Sequence, residues 1–329
     1  MRMYALLLLL FFGTAAPGQM VIDSYRFGAA APAGLLLDDY PTASAAYSLR
    51  LLRTAYTGDA IVVRRSSNND TLAIGFSGGV LDTAAMKTFC GANNCFVRRF
   101  YDQSGNGRDF LQTTAANQPA IITSGTVLRD NGEVSLRFDG SNDWMEIPSS
   151  TAMFNFIHDG GDATIFSVQR FGSAANPNAV YIFLDNTAAS GGNRGVSLFY
   201  DDRLSAPRNN AHVVIVGAGN TAAASMAVLD SIPPNDIGLL YNKIDANNAT
   251  AANRIRGGIN GGADYGINIT TTSPSLLDAT FNLTLGATGA VTKASFLLGA
   301  VQEIIIYNAD QSSNRAAIET NINNFYNIY

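Results

Sequence analysis

Acidic side chains carry the clearest catalytic potential in this sequence, which has 26 Asp and Glu residues and only two histidines. Retaining cleavage of a glycosidic bond needs two carboxyl groups about 5–5.5 Å apart. Asp201 and Asp202 follow a strand-like run, and Glu303 lies in the apolar run VQEIIIY. We assign no catalytic residue and keep these three as weak candidates in case the chain is active.

A second polar group lies between two strand-like segments, in the run FDGSNDW. Asp139, Asn142, Asp143 and Trp144 are candidates for carbohydrate binding, because polar groups beside an indole suit a sugar ring. The two carboxylates also suit Ca²⁺, which prefers oxygen ligands. The same residues form an Asx turn between strands, and we expect this structural role to dominate.

Cys90 and Cys95 enclose a Gly-Ala-Asn-Asn turn. They can form a disulfide if their Cα atoms come within about 7 Å. Two free thiols in a reducing compartment are the alternative. His158 and His212 have no ligand partners at a useful spacing, so we expect neither a metal site nor a cofactor.

Composition limits the classes of partner. The formal net charge is −5, and the 21 Lys and Arg residues are scattered. Contact with nucleic-acid phosphates requires a basic stripe. Nucleic acid is therefore not an expected partner.

Residues 1–19 contain nine apolar residues from Tyr4 to Phe12, too few to span a bilayer. The segment is either a cleaved secretion signal or a retained peptide that docks into an assembly. The residues expected to make the docking contacts are Tyr4, Leu6, Leu7, Leu8, Leu9, Leu10, Phe11 and Phe12. Residues 20–36 are rich in Gly, Ala and Pro and are interpreted as a linker.

From residue 37 to residue 329 we expect one domain, because short β-branched runs alternate with Gly/Asn/Ser/Asp turns. Apolar spacing predicts a short helix over residues 45–52. It predicts a second helix over residues 81–90, capped by Asp82 or Thr83. A closing helix is expected over residues 310–326, with a cap at Ser312 or Ser313.

Residues 43–112 resemble the catalytic domain of α-L-arabinofuranosidase B through the runs AAYSLRLLRTAYTGDAIVVRRSS, LDTAAMKTFCGANNC and YDQSGNGRDFLQ. The resemblance implies that Cys90 and Cys95 are disulfide-bonded. Residues 133–147 and 297–328 resemble laminin-G-type jelly rolls. Together they imply an all-β, concanavalin A-like jelly-roll sandwich with short helices and a C-terminal helix. The arabinofuranosidase-like block covers residues 37–115, and the laminin-G-like block covers residues 116–329.

The catalytic motifs of that family do not match. Its nucleophile lies in a Met-Glu-Asn-Gly type run, which this sequence lacks. Its acid lies in a late Gly-Gly-Asp-Asn type loop, for which Leu285–Lys293 is the counterpart here. No Asp or Glu occurs from Ala279 through Gln302. The comparison predicts an inherited fold without catalysis, or, if the chain is active, a retaining enzyme.

The same combination of blocks resembles structural and appendage proteins of tailed bacteriophages. We therefore predict a non-enzymatic virion protein, a capsid or tail decoration or a fibre, that displays a glycan-binding jelly roll. It is expected to be oligomeric, attached to other virion proteins through its N-terminus, with cell-surface glycans as further partners. The alternatives are a secreted α-L-arabinofuranosidase-like glycoside hydrolase with rearranged carboxylates and a bacterial surface adhesin.

Overall fold

The structure is a computed structural model. It describes residues 34–172, 180–187, 194–201, 211–217, 224–227, 233, 235–266 and 275–329, and for 211–217, 224–227, 251 and 266 only the backbone. The predicted N-terminal segment, nearly all of the predicted linker and Asp202 lie outside these residues. Gly34–Tyr329 forms one compact unit.

Three α-helices occur in the described part of the chain: α1 (Leu36–Asp39), α2 (Thr83–Cys90) and α3 (Arg315–Tyr326). The first strands are β1 (Ala43–Ser48), β2 (Ile61–Arg65), β3 (Thr71–Ile74), β4 (Phe76–Ser77), β5 (Val80–Leu81), β6 (Cys95–Phe100), β7 (Phe110–Leu111), β8 (Ala120–Thr123), β9 (Thr126–Val127), β10 (Arg129–Asp130) and β11 (Glu133–Val134). They are followed by β12 (Leu136–Asp139), β13 (Met145–Glu146), β14 (Asp162–Phe171), β15 (Val180–Asp185), β16 (Gly195–Asp201), β17 (Ala211–Gly217), β18 (Ala224–Ala227), β19 (Ile237–Asp245), β20 (Ile255–Ile259), β21 (Tyr265–Gly266), β22 (Thr284–Leu285) and β23 (Leu298–Tyr307). Three short 3₁₀ turns lie at Ala115–Asn117, Asn155–Ile157 and Ala251–Asn253.

The strands pair antiparallel in two layers. One layer runs β20–β19–β14–β23, and both β1 and β12 pair along the far side of β23. The other runs β7–β13–β22–β15–β16–β17–β18. Strands β8 and β6 connect the layers at one edge. The predicted all-β jelly-roll sandwich with a C-terminal helix is confirmed.

The central strands β14 and β23 are buried along almost their whole length on both faces, although β14 contains Thr164, Ser167 and Gln169 among its buried residues. Ile304 and Ile306 point into the core between the layers. Ile305 and Tyr307 pack on the opposite face in a second apolar cluster, together with Ile318 of α3. The closing helix therefore covers the outer face of this layer.

The prediction of a helix over residues 45–52 is wrong. Residues 43–48 form β1, in which Ala46 lies opposite Ile305 and Tyr47 opposite Ile304. Every residue of β1 is buried. Pairing with β23 and burial on both faces outweigh the helical spacing of the apolar residues, because local preference is a weak determinant beside tertiary packing.

The second and third predicted helices are present, with one difference in capping. Asp82 accepts a hydrogen bond from the backbone N–H of Ala85 and caps α2, as predicted. Helix α3 begins at Arg315 after an N-terminal Asn314 that makes no side-chain cap. Ser312 does not cap it because its hydroxyl and N–H both donate to Asp310.

The expected disulfide joins Cys90, at the end of α2, to Cys95, at the start of β6. Their Cα atoms are 6.1 Å apart, within the range for a bridge. The bond fixes the turn between a helix and a strand of the core.

Candidate functional site

Three neighbouring strands place Glu146, Thr284 and Asp185 in one row. Glu146 of β13 lies opposite Thr284 of β22, and Thr284 also lies opposite Asp185 of β15. Residues directly opposite in a sheet project from the same face. Met145 and Leu285, their chain neighbours, lie in the core on the other face. The two acidic residues are thus separated by two strand spacings, roughly 9–10 Å between backbones.

Asp185 is fully buried at the end of β15. Its carboxylate accepts hydrogen bonds from the backbone N–H of Gly289 at 2.6 Å, and from the N–H and hydroxyl of Thr187 at 3.2 and 2.8 Å. Burial raises the pKa of Asp185 above its ordinary value, although the hydrogen bonds from Gly289 and Thr187 act in the opposite direction. Burial thus shifts this carboxyl towards the form that can donate a proton.

Glu146 has a different environment. One carboxylate oxygen lies 2.9 Å from the ammonium of Lys293, and the other accepts a hydrogen bond from the amide of Asn282 at 3.0 Å. Lys293 also donates to the hydroxyl of Thr284 and lies 4.6 Å from the ring centre of Trp144. The Glu146 side chain is 26% exposed, whereas that of Lys293 is 9% exposed. This carboxylate is fixed in position and reachable from solvent.

Gly289 connects the two carboxyl groups. Its N–H donates to Asp185, and its carbonyl accepts from Lys293 at 3.2 Å. A Cβ at this position would lie 2.8 Å from the Cα of Asn186 and 3.1 Å from the carbonyl oxygen of Asp185. Only glycine allows the loop to approach β15 this closely. The loop Leu285–Lys293, here called the late loop, has no acidic residue of its own. It contacts the acidic residues of β13 and β15 through Lys293 and Gly289.

The weak candidates Asp201 and Glu303 lie elsewhere. Asp201 is buried on β16, four residues beyond Ser197, the residue opposite Asp185. That is about 13 Å along the strand. Glu303 is buried on β23 and pairs with Arg50 through both carboxylate oxygens, at 2.7 and 2.9 Å. Its surroundings are those of a structural ion pair.

The turn residues Asp139 and Asp143 border a cavity of about 530 Å³. Asp139 accepts from the N–H groups of Ser141 and Asn142, at 2.8 and 3.2 Å, as an Asx turn requires. The N–H of Asp139 donates to Asp143 at 3.0 Å. Burial, and secondarily the charge of Asp139, raises the pKa of Asp143 to about 7.

The four predicted carbohydrate-binding residues do not form one site. Asn142 is half-buried, and its side-chain amide donates to the carbonyl of Ala116. Trp144 stacks on Lys293, in the row that holds Glu146. Carbohydrate binding by the turn remains a prediction, now restricted to Asp139 and Asp143.

Within the described ranges, no group of three or more His, Cys, Asp or Glu residues is arranged to hold a metal ion. His158 is buried, its Nε2 lies 3.0 Å from the carbonyl oxygen of Leu277, and burial lowers its pKa. No helix among the described residues is long and apolar enough to cross a membrane.

Comparison with known proteins supports the fold and the resemblance to arabinofuranosidases. Residues 38–192 match the model of a family described as "Alpha-L-arabinofuranosidase B, catalytic". The chain resembles an arabinofuranosidase catalytic domain. An α-L-arabinofuranosidase of Hypocrea jecorina is 42% identical over 64 residues, which are 19% of this chain and 13% of that protein. The α-L-arabinofuranosidase B of Emericella nidulans is 40% identical over 65 residues, again 13% of its length.

A solved structure of an arabinofuranosidase complexed with arabinofuranosyl-α-1,2-xylobiose has the same fold. It superposes on 88% of the arabinofuranosidase-like chain with a TM-score of 0.63, at 17% sequence identity. The match covers 64% of the solved chain. This arabinofuranosidase-like chain therefore spans less than two thirds of its structural relative and a much smaller part of its curated ones.

The prediction of a bacteriophage virion protein is wrong. The family match, the curated relatives and the matching structure are arabinofuranosidases, and nothing supports a capsid, tail or virion role. The matched relatives are named as enzymes, which also counts against the expectation of a non-enzymatic protein. That expectation depended on the late loop having no acid, but the fold brings Asp185 and Glu146 to this loop.

Sequence reasoning missed this row. Asp185, Glu146 and Lys293 are far apart in the chain, and no motif connects them. One local signal was available, since Lys293 is a basic residue in a loop otherwise free of charge. A buried Lys requires a carboxylate or several acceptors nearby.

Proposed function

We propose that this chain is an α-L-arabinofuranosidase-like glycoside hydrolase that uses Asp185 and Glu146 as its carboxyl pair. The single observation that carries the proposal is their placement in one row, on either side of Thr284 and beneath the late loop. The family match over residues 38–192 supports the reaction class.

The environments of the two carboxyl groups suggest different roles. Asp185, whose pKa is raised by burial, acts as the acid that protonates the leaving oxygen as the glycosidic bond breaks. Glu146, fixed by Lys293 and Asn282, is the base that takes a proton from a water molecule on the other side of the sugar ring. That water attacks the anomeric carbon as the bond to the leaving oxygen breaks, and both carboxyl groups then exchange protons with solvent to return to their initial states. A pair separated by two strand spacings leaves room for this water, so the anomeric configuration is inverted.

The test uses the full chain and 4-nitrophenyl α-L-arabinofuranoside, with release of nitrophenolate as the readout. We expect wild-type turnover and a loss of about 10²–10⁴-fold in kcat for Asp185→Asn. Glu146→Gln should lose about as much, because it removes the base. The matched controls are Asp236→Asn, at an exposed position, and Glu133→Gln, and both should retain activity.

Two outcomes would contradict the proposal in different ways. Wild-type activity that survives both Asp185→Asn and Glu146→Gln would reject this carboxyl pair but not the reaction. Absence of arabinose release by the wild-type protein, from the chromogenic substrate and from arabinofuranosyl-xylobiose, would reject the hydrolase function.

We further propose that the protein is extracellular and that residues 1–19 are a cleaved secretion signal. The Cys90–Cys95 disulfide supports this, because structural disulfides persist mainly in oxidising compartments. Sequencing the N-terminus of the protein from the culture medium should give a mature chain that starts near Pro17 or Gln19. Intact protein confined to the cytosol would contradict the proposal.

A further inference from the structure

The cavity of about 530 Å³ lies beside the Asp139–Asp143 turn. It shares no residue with the row of Glu146, Thr284 and Asp185, here called the carboxyl row. Its walls come from β12, the end of β14, the start of β23 and the 3₁₀ turn at Ala115–Asn117. Its volume is within the range of small-molecule sites. The proposed hydrolase function does not use it.

Polar groups with free bonding capacity line this cavity. Asp143 is 7% exposed, and one of its oxygens accepts from the N–H of Asp139. Among the described residues, no hydrogen bond reaches its other oxygen, Oδ1. Arg137 donates hydrogen bonds through Nε and Nη2. Arg170 donates through Nη1 to Asn235, and its Nε lies 2.9 Å from Asp130 as an ion pair without hydrogen-bond geometry. One terminal nitrogen of each arginine thus has no partner in the described part of the chain.

The charges around the cavity balance. Arg137 and Arg170 both pair with Asp130, at 3.0 and 2.9 Å. Asp139 supplies a second negative charge. Because burial raises the pKa of Asp143 to about 7, that carboxyl adds no full charge in mildly acidic solution. The surroundings attract neither an anion nor a cation strongly.

Apolar groups provide the rest of the wall, among them Leu128, Phe138 and Leu298. Such surfaces suit the C–H faces of a ring, and the polar groups suit its substituents. A hydroxyl group both donates and accepts, whereas an arginine only donates and a carboxylate only accepts. A ligand that bears several hydroxyls and no charge satisfies both kinds of group.

We propose that this cavity is a binding site for a neutral saccharide unit, separate from the carboxyl row. The site holds a sugar residue without cleaving it. Its ligand is selected by hydroxyl groups and by the absence of charge.

The experiment measures binding of xylobiose by titration calorimetry to the full chain carrying Asp185→Asn and Glu146→Gln, which prevents turnover. Ala116 is exposed and lies at the cavity wall, so Ala116→Trp fills the space without entering the core. We expect this variant to weaken binding at least 10-fold. Ala84→Trp, at an exposed position on α2, is the matched control and should bind as before.

Three results would overturn the proposal. These are no detectable binding of xylobiose, equal affinity in the Ala116→Trp and Ala84→Trp proteins, or tighter binding of glucuronate than of xylobiose. These results do not depend on the outcome of the hydrolase test. Binding is measured in a protein that lacks both carboxyl groups of the row, whereas arabinose release is measured in proteins in which Ala116 is unchanged.

Discussion

Two acidic pairs in the described part of the chain, one in the turn beside the cavity and one in the carboxyl row, are built in opposite ways. Asp139 and Asp143 are four residues apart in one turn, and the backbone of that turn holds both. Glu146 and Asp185 lie on different strands and meet only through β22 and the late loop. The first pair is local and recognisable as a turn motif. The second depends on the sheet, so its chemistry is set by long-range pairing.

The largest expected effect concerns Asp143, the buried carboxyl of the local turn, and the pH dependence of its contribution to stability. The pKa of Asp143 is raised to about 7, so between about pH 4 and 7 only the unfolded state releases this proton. Its contribution to the free energy of unfolding therefore falls as pH rises through this window. Asp143→Asn should be more stable than the wild type by up to about 4 kcal/mol at pH 8, and by only about 1.5 kcal/mol at pH 5.

Urea unfolding of both proteins at the two pH values measures this difference. Asn keeps an oxygen that accepts from the N–H of Asp139, so the local hydrogen bond survives the change. A stability difference that does not depend on pH would show that Asp143 ionises like an exposed carboxyl.

An intermediate effect is expected when Lys293, the cation of the carboxyl row, is replaced. Lys293→Met removes the ammonium that contacts Glu146, Thr284 and Gly289. We expect kcat to fall about 10–100-fold with little change in KM, because misplacing a reacting group by about 1 Å is enough for such a loss.

Two further variants identify the role of Lys293 as positioning. Lys293→Arg should recover part of kcat, since it restores a cation beside Glu146. Lys87→Met, at an exposed position on α2, should have no effect. A loss in Lys293→Met that appears only as lower thermal stability, with kcat intact, would contradict the positioning role.

The smallest effect is expected in the local turn. Asp139→Ala removes an acceptor for two backbone N–H groups and should lower the free energy of unfolding by about 1 kcal/mol. Asp139→Asn keeps an acceptor and should lose less. Thermal unfolding of the three proteins at pH 6 provides the comparison, and equal losses for both variants would show that the turn does not depend on this acceptor.

Local features of this protein were predictable from sequence because their determinants are close together in the chain. The Asp82 cap of α2, the Asp139 turn and the cysteine pair all lie within short segments. Their geometry follows from turn chemistry and short loop closure, which act before any tertiary contact forms.

Features that depend on distant pairing were not predictable in the same way. Residues 45–52 have helical spacing, yet Ala46 and Tyr47 belong to a strand that pairs with β23, more than 250 residues later. Glu303 is a possible catalytic acid by sequence, but in the structure Arg50 forms an ion pair with it. In each case burial against a remote strand overrides the local pattern.

The sequence by itself determined the sandwich, the disulfide turn, two of the three predicted helices and the resemblance to arabinofuranosidases. Only the tertiary structure brought Asp185, Glu146 and Lys293 together around the late loop, whose lack of an acid had argued against an enzyme. The physical reason is that strand register fixes which side chains share a face, and register is set by the packing of the whole core rather than by neighbouring residues.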